Sequence, residues 1–252
     1  MAASELVLIV TFLFVIGALV FVRRQLGGDD QPFVLRTITA YQALRQQAGM
    51  AVESGRRPLL TLGRGPLHTP AGPASVAGMH ILQDLAQASG SGRLGPYVTV
   101  GSATLLPIAQ DGLRTAADRG GQPLAFHPDD VHFIADESFP FVYAAGTAET
   151  IGRNESGNTI AVGRFGTELA IISEAAVRNE HQPILGSDDS SAIAIAFAYT
   201  QNSLWGEEIF AASAYLRQSA SQLASVRVQD LLRWLAAAVL ILTALLQLLG
   251  VV

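Results

Sequence analysis

The sequence predicts an α/β fold: a mostly parallel, five-stranded sheet with helices on both faces, flanked by N- and C-terminal transmembrane helices. Three observations lead there. Five short apolar runs alternate with helical stretches between residues 58 and 200. Each run is followed by glycine or a small polar residue, which suits the strand-to-helix turns of a parallel sheet. Two long uncharged runs, residues 6–22 and 234–252, sit at opposite ends of the chain.

The first end run reads LVLIVTFLFVIGALVFV and stops at Arg23-Arg24. At ~1.5 Å per residue it crosses most of a hydrocarbon core ~30 Å thick, and residues 2–4 extend it. A cleaved signal peptide needs a basic start and a small-x-small cleavage site. The start here carries Glu5 and no cation, so an uncleaved anchor is expected. The second run reads WLAAAVLILTALLQLLGVV, with Gln247 as its one strongly polar side chain. Trp234 beside Arg233 suits an interfacial aromatic next to a snorkelling cation. The alternative, a pair of buried core helices, fits poorly with uncharged helices this long at both termini.

Arg23, Arg24, Arg227 and Arg233 all lie on the inner side of the two runs. The positive-inside rule then puts the central domain in the cytoplasm and both termini outside. The expected location is the membrane that bounds the cytoplasm. The expected division is residues 4–24 as a first span, 25–57 as linker and amphipathic helix, and 58–217 as the α/β domain. A connector, 218–230, and a second span, 231–252, complete it.

Between the spans the elements follow in order. Residues 37–54 predict an amphipathic helix, with Ile38, Tyr41, Leu44 and Ala48 on one side and Gly55 as its stop. Residues 58–62 predict a strand ending at Gly63-Arg64-Gly65, and 74–88 a helix striped by Val76, Met79, Leu82 and Leu85. A strand at 97–100 ends at Gly101, and a helix at 103–119 follows. The strand at 131–135 leads to a helix at 139–151, with Ser138 as cap and Pro140 in the first turn. Strands at 159–162 and 182–185 alternate with helices at 167–179 and 190–200. Residues 206–216 predict one more helix, and 219–230 a polar connector.

Composition narrows the chemistry. There is no cysteine, so neither disulfide nor thiol chemistry is available. All 16 basic residues are arginine, which excludes a Schiff-base, P-loop or kinase-type lysine. The net charge of −5 and the lack of a basic stripe argue against nucleic acid.

Ligands of an open α/β sheet bind outside the carboxyl ends of the strands, near a switch in strand order. The loops there begin at residues 63, 101, 136, 163 and 186. Backbone N–H groups at helix N-termini suit an anion, and Arg64 and Arg164 add positive charge. The candidate ligand-binding set is therefore Gly63, Arg64, Gly65, Gly101, Ser102, Gly163, Arg164, Gly166 and Thr167. Against it stands the plainer reading that these glycines only serve tight turns.

A dinucleotide fingerprint fails on two counts: His68 stands where a third small residue belongs, and the second strand ends without an acid. No P-loop and no Gly-x-Ser-x-Gly elbow occurs. His127, Asp129, Asp130 and His132 are metal-ligand types but read as a turn before a strand. Ser187-Asp188-Asp189-Ser190 reads as a helix cap rather than an acid/base pair. No catalytic residue, metal or cofactor is expected.

Several strings also carry a resemblance: Arg23-Arg24 after the anchor, Ala40-Tyr41-Gln42-Ala43-Leu44-Arg45, Leu62-Gly63-Arg64-Gly65, Val98-Thr99-Val100-Gly101 and Gly206-Glu207-Glu208-Ile209-Phe210-Ala211-Ala212. On these, nearly the whole chain resembles a family of uncharacterised two-span bacterial membrane proteins, a domain of unknown function. The resemblance implies a place in the bacterial inner membrane, a Rossmann-like cytoplasmic domain and no known activity.

The first functional expectation is a non-enzymatic, self-associating scaffold or assembly component. Its partners would be membrane lipid and a second copy or another membrane protein. The alternative is a sensor for a small anionic metabolite or nucleotide at the strand ends. A hydrolase or transferase lacks a nucleophile–base pair.

Overall fold

The computed structural model describes residues 16, 17, 20, 35–89, 95–153, 157–217 and 220–248. The chain divides into two compact units: Arg36–Leu216, and Met1–Leu35 together with Arg217–Val252.

The larger unit is an α/β sandwich around one parallel sheet. Its strands are β1 (Leu59–Gly63), β2 (Tyr97–Val100), β3 (Val131–Phe133), β4 (Thr159–Arg164), β5 (Ile184–Ser187) and β6 (Ser203–Trp205). Their spatial order is β3-β2-β1-β4-β5-β6, with every neighbouring pair parallel. This order is that of the doubly wound dinucleotide-binding fold, in which the winding reverses between β1 and β4.

The sheet has six strands rather than the expected five. Ser203-Leu204-Trp205 is too short and too mixed to read as a strand from its residues alone. Pairing with β5 makes it one, and Leu204 packs into the core at 1% exposure. The helix expected over 206–216 is correspondingly shorter. A 3-10 turn, Gly206–Ala211, leads into α-helix only at Ala212.

Both faces of the sheet are covered. Leu60, Leu62, Val98, Val100, Ile160 and Val162 point to one face. There they pack under α1 (Thr39–Ser54), α2 (Gly72–Ser89) and α3 (Leu105–Arg119). Leu59, Ala161 and Leu185 point to the other. That face is covered by α4 (Pro140–Arg153), α5 (Leu169–Arg178) and α6 (Ser190–Tyr199). Burial on both sides explains why the strands read as unbroken apolar runs.

Helix α1, grouped with the linker in the sequence division, lies within this unit and buries Tyr41, Leu44 and Ala48. Gly55 ends it with a left-handed φ of 67°, which glycine adopts without a Cβ clash. Helix α2 approaches β4 closely: a Cβ on Gly78 would sit 2.4 Å from the Val162 carbonyl oxygen. The alanines at 192, 196, 212 and 214 are all buried, so these small side chains serve packing inside the unit.

Local capping differs in part from expectation. Pro140 opens α4 as expected. The preceding turn is held by Asp136, whose Oδ1 accepts from the Ser138 N–H at 3.2 Å. Asp189 caps α6, accepting from the Ser191 N–H at 2.9 Å.

The two ends of the larger unit are joined. Tyr41 of α1 and Tyr215 of α7 (Ala212–Arg217) stack with ring centroids 4.8 Å apart. The Tyr41 hydroxyl donates to the Glu208 carbonyl at 2.6 Å, and the Tyr215 hydroxyl to the Arg36 carbonyl at 2.7 Å. Arg36 also pairs with Glu208, and Arg45 donates to the Tyr215 carbonyl.

In the smaller unit, α8 (Ala220–Leu248) is one helix of 29 residues. The stretch expected as a polar connector is therefore helical from Ala220 and continuous with the second apolar run. Among the described residues, no helix is long and apolar enough to cross a membrane. The expected first span lies outside the described residues, apart from Ile16, Gly17 and Val20.

Candidate functional site

The reversal of winding places the carboxyl ends of β1 and β4 side by side, and the predicted residues gather there. Gly63 and Arg164 face each other across the β1–β4 pair, where the register shifts. The Arg64 N–H donates to the Arg164 carbonyl at 3.1 Å, and the Gly101 N–H to the Gly63 carbonyl at 2.9 Å. Gly63, Gly65, Gly101, Ser102 and Gly163 are buried. Arg64, Arg164 and Gly166 are half-buried, and Thr167 is exposed in the turn before α5.

The glycines make room for the protein itself. Gly63 has φ 72°, and a Cβ there would meet the Arg164 carbonyl oxygen at 2.4 Å. A Cβ on Gly65 would meet the Cβ of Arg164 at 2.7 Å. One on Gly101 would come within 2.9 Å of both Arg64 and the Tyr143 ring. Close approach of chain to chain thus accounts for the missing Cβ at these positions without a ligand.

Both arginines are also engaged. Arg64 Nε donates to Glu168 Oε1 at 2.7 Å, and its Nη1 to the Glu137 carbonyl at 3.3 Å. Glu168 is 1% exposed, so its charge leans on this partner. Arg164 reaches Asp188 at 3.1 Å and Asp189 at 3.3 Å. The rim therefore sets three carboxylates against two guanidinium groups. An anion arriving there competes with carboxylates already in place.

Under this rim lies a buried polar cluster. The Tyr143 hydroxyl donates to the Thr99 carbonyl at 3.2 Å and bonds the Thr61 hydroxyl. Thr147 joins through the Thr99 hydroxyl at 3.5 Å. Burial pushes the Tyr143 phenol above its ordinary range, and the threonine hydroxyls offset part of that. Ser102 bonds Thr104 at 3.0 Å.

The other titratable candidates have structural work. Asp130 is 6% exposed and pairs with Arg57 at 2.7 Å. Arg57 in turn lies 3.9 Å over the Tyr97 ring, and the His132 ring stacks with Tyr97 at a centroid distance of 6.2 Å. Among the described residues, no group of three or more His, Asp or Glu is arranged to hold a metal ion.

The roles of Glu168, Asp188 and Asp189 as partners of the arginines were missed from the sequence. Nothing in a one-dimensional pattern pairs Arg64 with a residue 104 positions away. A second missed feature is a groove of about 980 Å³ at the opposite, amino-terminal end of the sheet, along α1.

The chain belongs to the DUF6754 family. The family's sequence model, described as a domain of unknown function, matches residues 2–252. No curated protein and no solved structure matches significantly. Membership agrees with the uncharacterised family suggested by the sequence strings, and DUF6754 brings no assigned site to set against the geometry above.

Proposed function

We infer that this DUF6754 protein is a membrane-anchored, non-enzymatic scaffold or assembly component that self-associates through a cytoplasmic α/β domain. The observation that carries the reading is the joint between the two ends of that domain. Stacked Tyr41 and Tyr215, with the hydroxyl bonds to Glu208 and Arg36, hold residues 36–45 against 208–215. A domain tethered at both ends to one bilayer surface must start and finish at the same place, and this joint meets that need. The apolar runs at 6–22 and 234–252 supply the tethers, and Arg23, Arg24, Arg227 and Arg233 set the orientation.

Self-association draws on the β3 edge. Phe133, Phe139, Phe141 and Val142 are 43–59% exposed at β3 and the start of α4. Exposed apolar side chains beside an unpaired strand edge suit contact with a second copy. The non-enzymatic part of the reading rests on the strand ends, where Arg64, Glu168, Arg164, Asp188 and Asp189 are spent on one another. The same pairing gives the anion-sensor alternative less support.

Mass measurement of the full chain in mild detergent tests self-association. An oligomer is expected, and a strictly monomeric species overturns it. Protease accessibility in right-side-out and inverted vesicles tests the orientation, with cleavage of the α/β domain expected only when the cytoplasmic face is outward.

A further inference from the structure

Strand β3 is Val131-His132-Phe133, and it stands at the end of the sheet. Its backbone fixes which groups face outward. The Ile134 N–H donates to the Val100 carbonyl at 3.1 Å, and Val100 is the register partner of Phe133. Successive residues of a strand send their N–H and C=O to opposite sides. Those of His132 therefore go to β2, and those of Val131 and Phe133 point out from the edge. The Val131 N–H turns back onto the Pro128 carbonyl. The edge thus offers the Phe133 N–H and C=O and the Val131 C=O.

This set is self-complementary. Two copies of β3, antiparallel about a two-fold axis, exchange Phe133 N–H to Val131 C=O bonds in both directions. His132 is the middle residue, so the axis passes between the two His132 side chains. They become a directly opposed, non-hydrogen-bonded pair with Cα atoms ~4.5 Å apart and both rings on one face. So short a ladder leaves the central pair a large share of the contact.

His132 is exposed and stacks with Tyr97. Arg57 lies over the same ring, with its charge met by Asp130. Helix α4, which covers this face, carries Glu149 and Arg153, paired with each other. Asp111, Arg114, Asp118 and Arg119 belong to α3, on the opposite face. His127 and Asp129 precede the strand, and Asp136 and Glu137 follow it. Histidine ordinarily changes charge between about pH 5 and 8. Two neutral imidazoles tolerate each other at this distance, whereas two imidazolium ions repel. The assembled state then binds fewer protons than the separate copies, so association weakens as pH falls.

We propose that His132 is a pH switch for self-association: two copies join β3 to β3 while it is neutral and part when it is protonated. This rests on the self-association reading and deepens it by naming the geometry and regulation of that contact.

The test measures the mass and dissociation constant of the full chain in a non-ionic detergent by analytical ultracentrifugation. It is run at about pH 8 and about pH 5.5, which bracket histidine titration. The wild-type dissociation constant is expected to rise about tenfold or more at the lower pH, the equivalent of one pKa unit of repulsion. Circular dichroism should stay unchanged across that range. His132→Gln, neutral throughout, should assemble equally at both pH values, and His132→Arg, charged throughout, should be weak at both. An oligomer whose affinity ignores pH overturns the switch and leaves self-association standing. A pH response that survives in His132→Gln, or that follows a loss of circular dichroism signal, also overturns the switch. A wild-type monomer at both pH values overturns self-association and the switch together.

Discussion

Tyr41 and Tyr215 lie 174 positions apart in the chain and stack with ring centroids 4.8 Å apart and an interplanar angle of 14°. Each ring also places its hydroxyl on a backbone carbonyl of the other segment. The pair closes the α/β unit on itself beside the points where the chain leaves it. Tyr215→Ala removes the stack and one hydrogen bond. A loss of about 1–3 kcal/mol of unfolding free energy is expected. Tyr215→Phe keeps the stack and should lose about 1 kcal/mol. Urea denaturation of the full chain in detergent, followed by tryptophan fluorescence, separates the two.

Alkaline pH addresses the same joint. Burial, with Glu208 and Tyr215 alongside, raises the Tyr41 phenol well above the ordinary value of 10.0. From that value upward the unfolded chain gives up the Tyr41 proton while the folded chain holds it. The unfolded state then binds fewer protons, so stability falls as pH rises. The contribution is complete below pH 10.0 and is lost between there and the raised folded value. Tyr41→Phe is expected to be less stable at neutral pH and to show a shallower decline above pH 10.0. An unchanged slope would show that Tyr41 is not the group responsible.

The Arg64–Glu168 pair predicts a stability effect that ligand binding alone would not produce. Arg64→Gln leaves the Glu168 carboxylate buried without its cation. Because the Arg64 side chain is 27% exposed, a cost of about 2–3 kcal/mol is expected, at the low end for a broken buried pair. Arg64→Gln combined with Glu168→Gln should recover part of this, since no charge is then stranded. A thermal-shift screen of phosphate, sulfate and nucleotides should leave the wild type unmoved.

Glycine substitutions distinguish close packing from idle space. Gly63→Ala and Gly78→Ala each drive a Cβ to 2.4 Å from a backbone carbonyl oxygen. A loss of about 2–3 kcal/mol or failure to fold is expected for each. Gly49, exposed in the middle of α1, has nothing within 4 Å of an added Cβ. Gly49→Ala should stabilise the protein by about 0.5–1 kcal/mol. Midpoints of denaturant unfolding read all three.

The proposed self-association through the β3 edge makes its own prediction. Phe139→Ser with Phe141→Ser removes two exposed rings, 59% and 57% accessible, with little expected cost to the fold. The double variant should run as a smaller species than wild type in detergent by light scattering. An unchanged mass would move the interface elsewhere.

The sequence by itself determined the alternation of strands and helices, because a strand covered on both faces is apolar at every position and a parallel crossover needs a helix and a tight turn. Gly63, Gly101 and Gly163 marked those turns, and Gly55 marked the end of α1. It also determined family membership and the two apolar end runs. Only the tertiary structure decided the strand order and the sixth strand, since Ser203-Leu204-Trp205 becomes a strand through pairing with β5. It decided that Arg64 and Arg164 face Glu168, Asp188 and Asp189, and that Gln47 is buried in a groove. These depend on contacts between residues far apart in the chain, where local propensity and periodicity carry no information. The same glycines that suggested a ligand cradle turn out to admit neighbouring backbone and side chains, because close packing and phosphate binding ask the same thing of a residue: the absence of a Cβ.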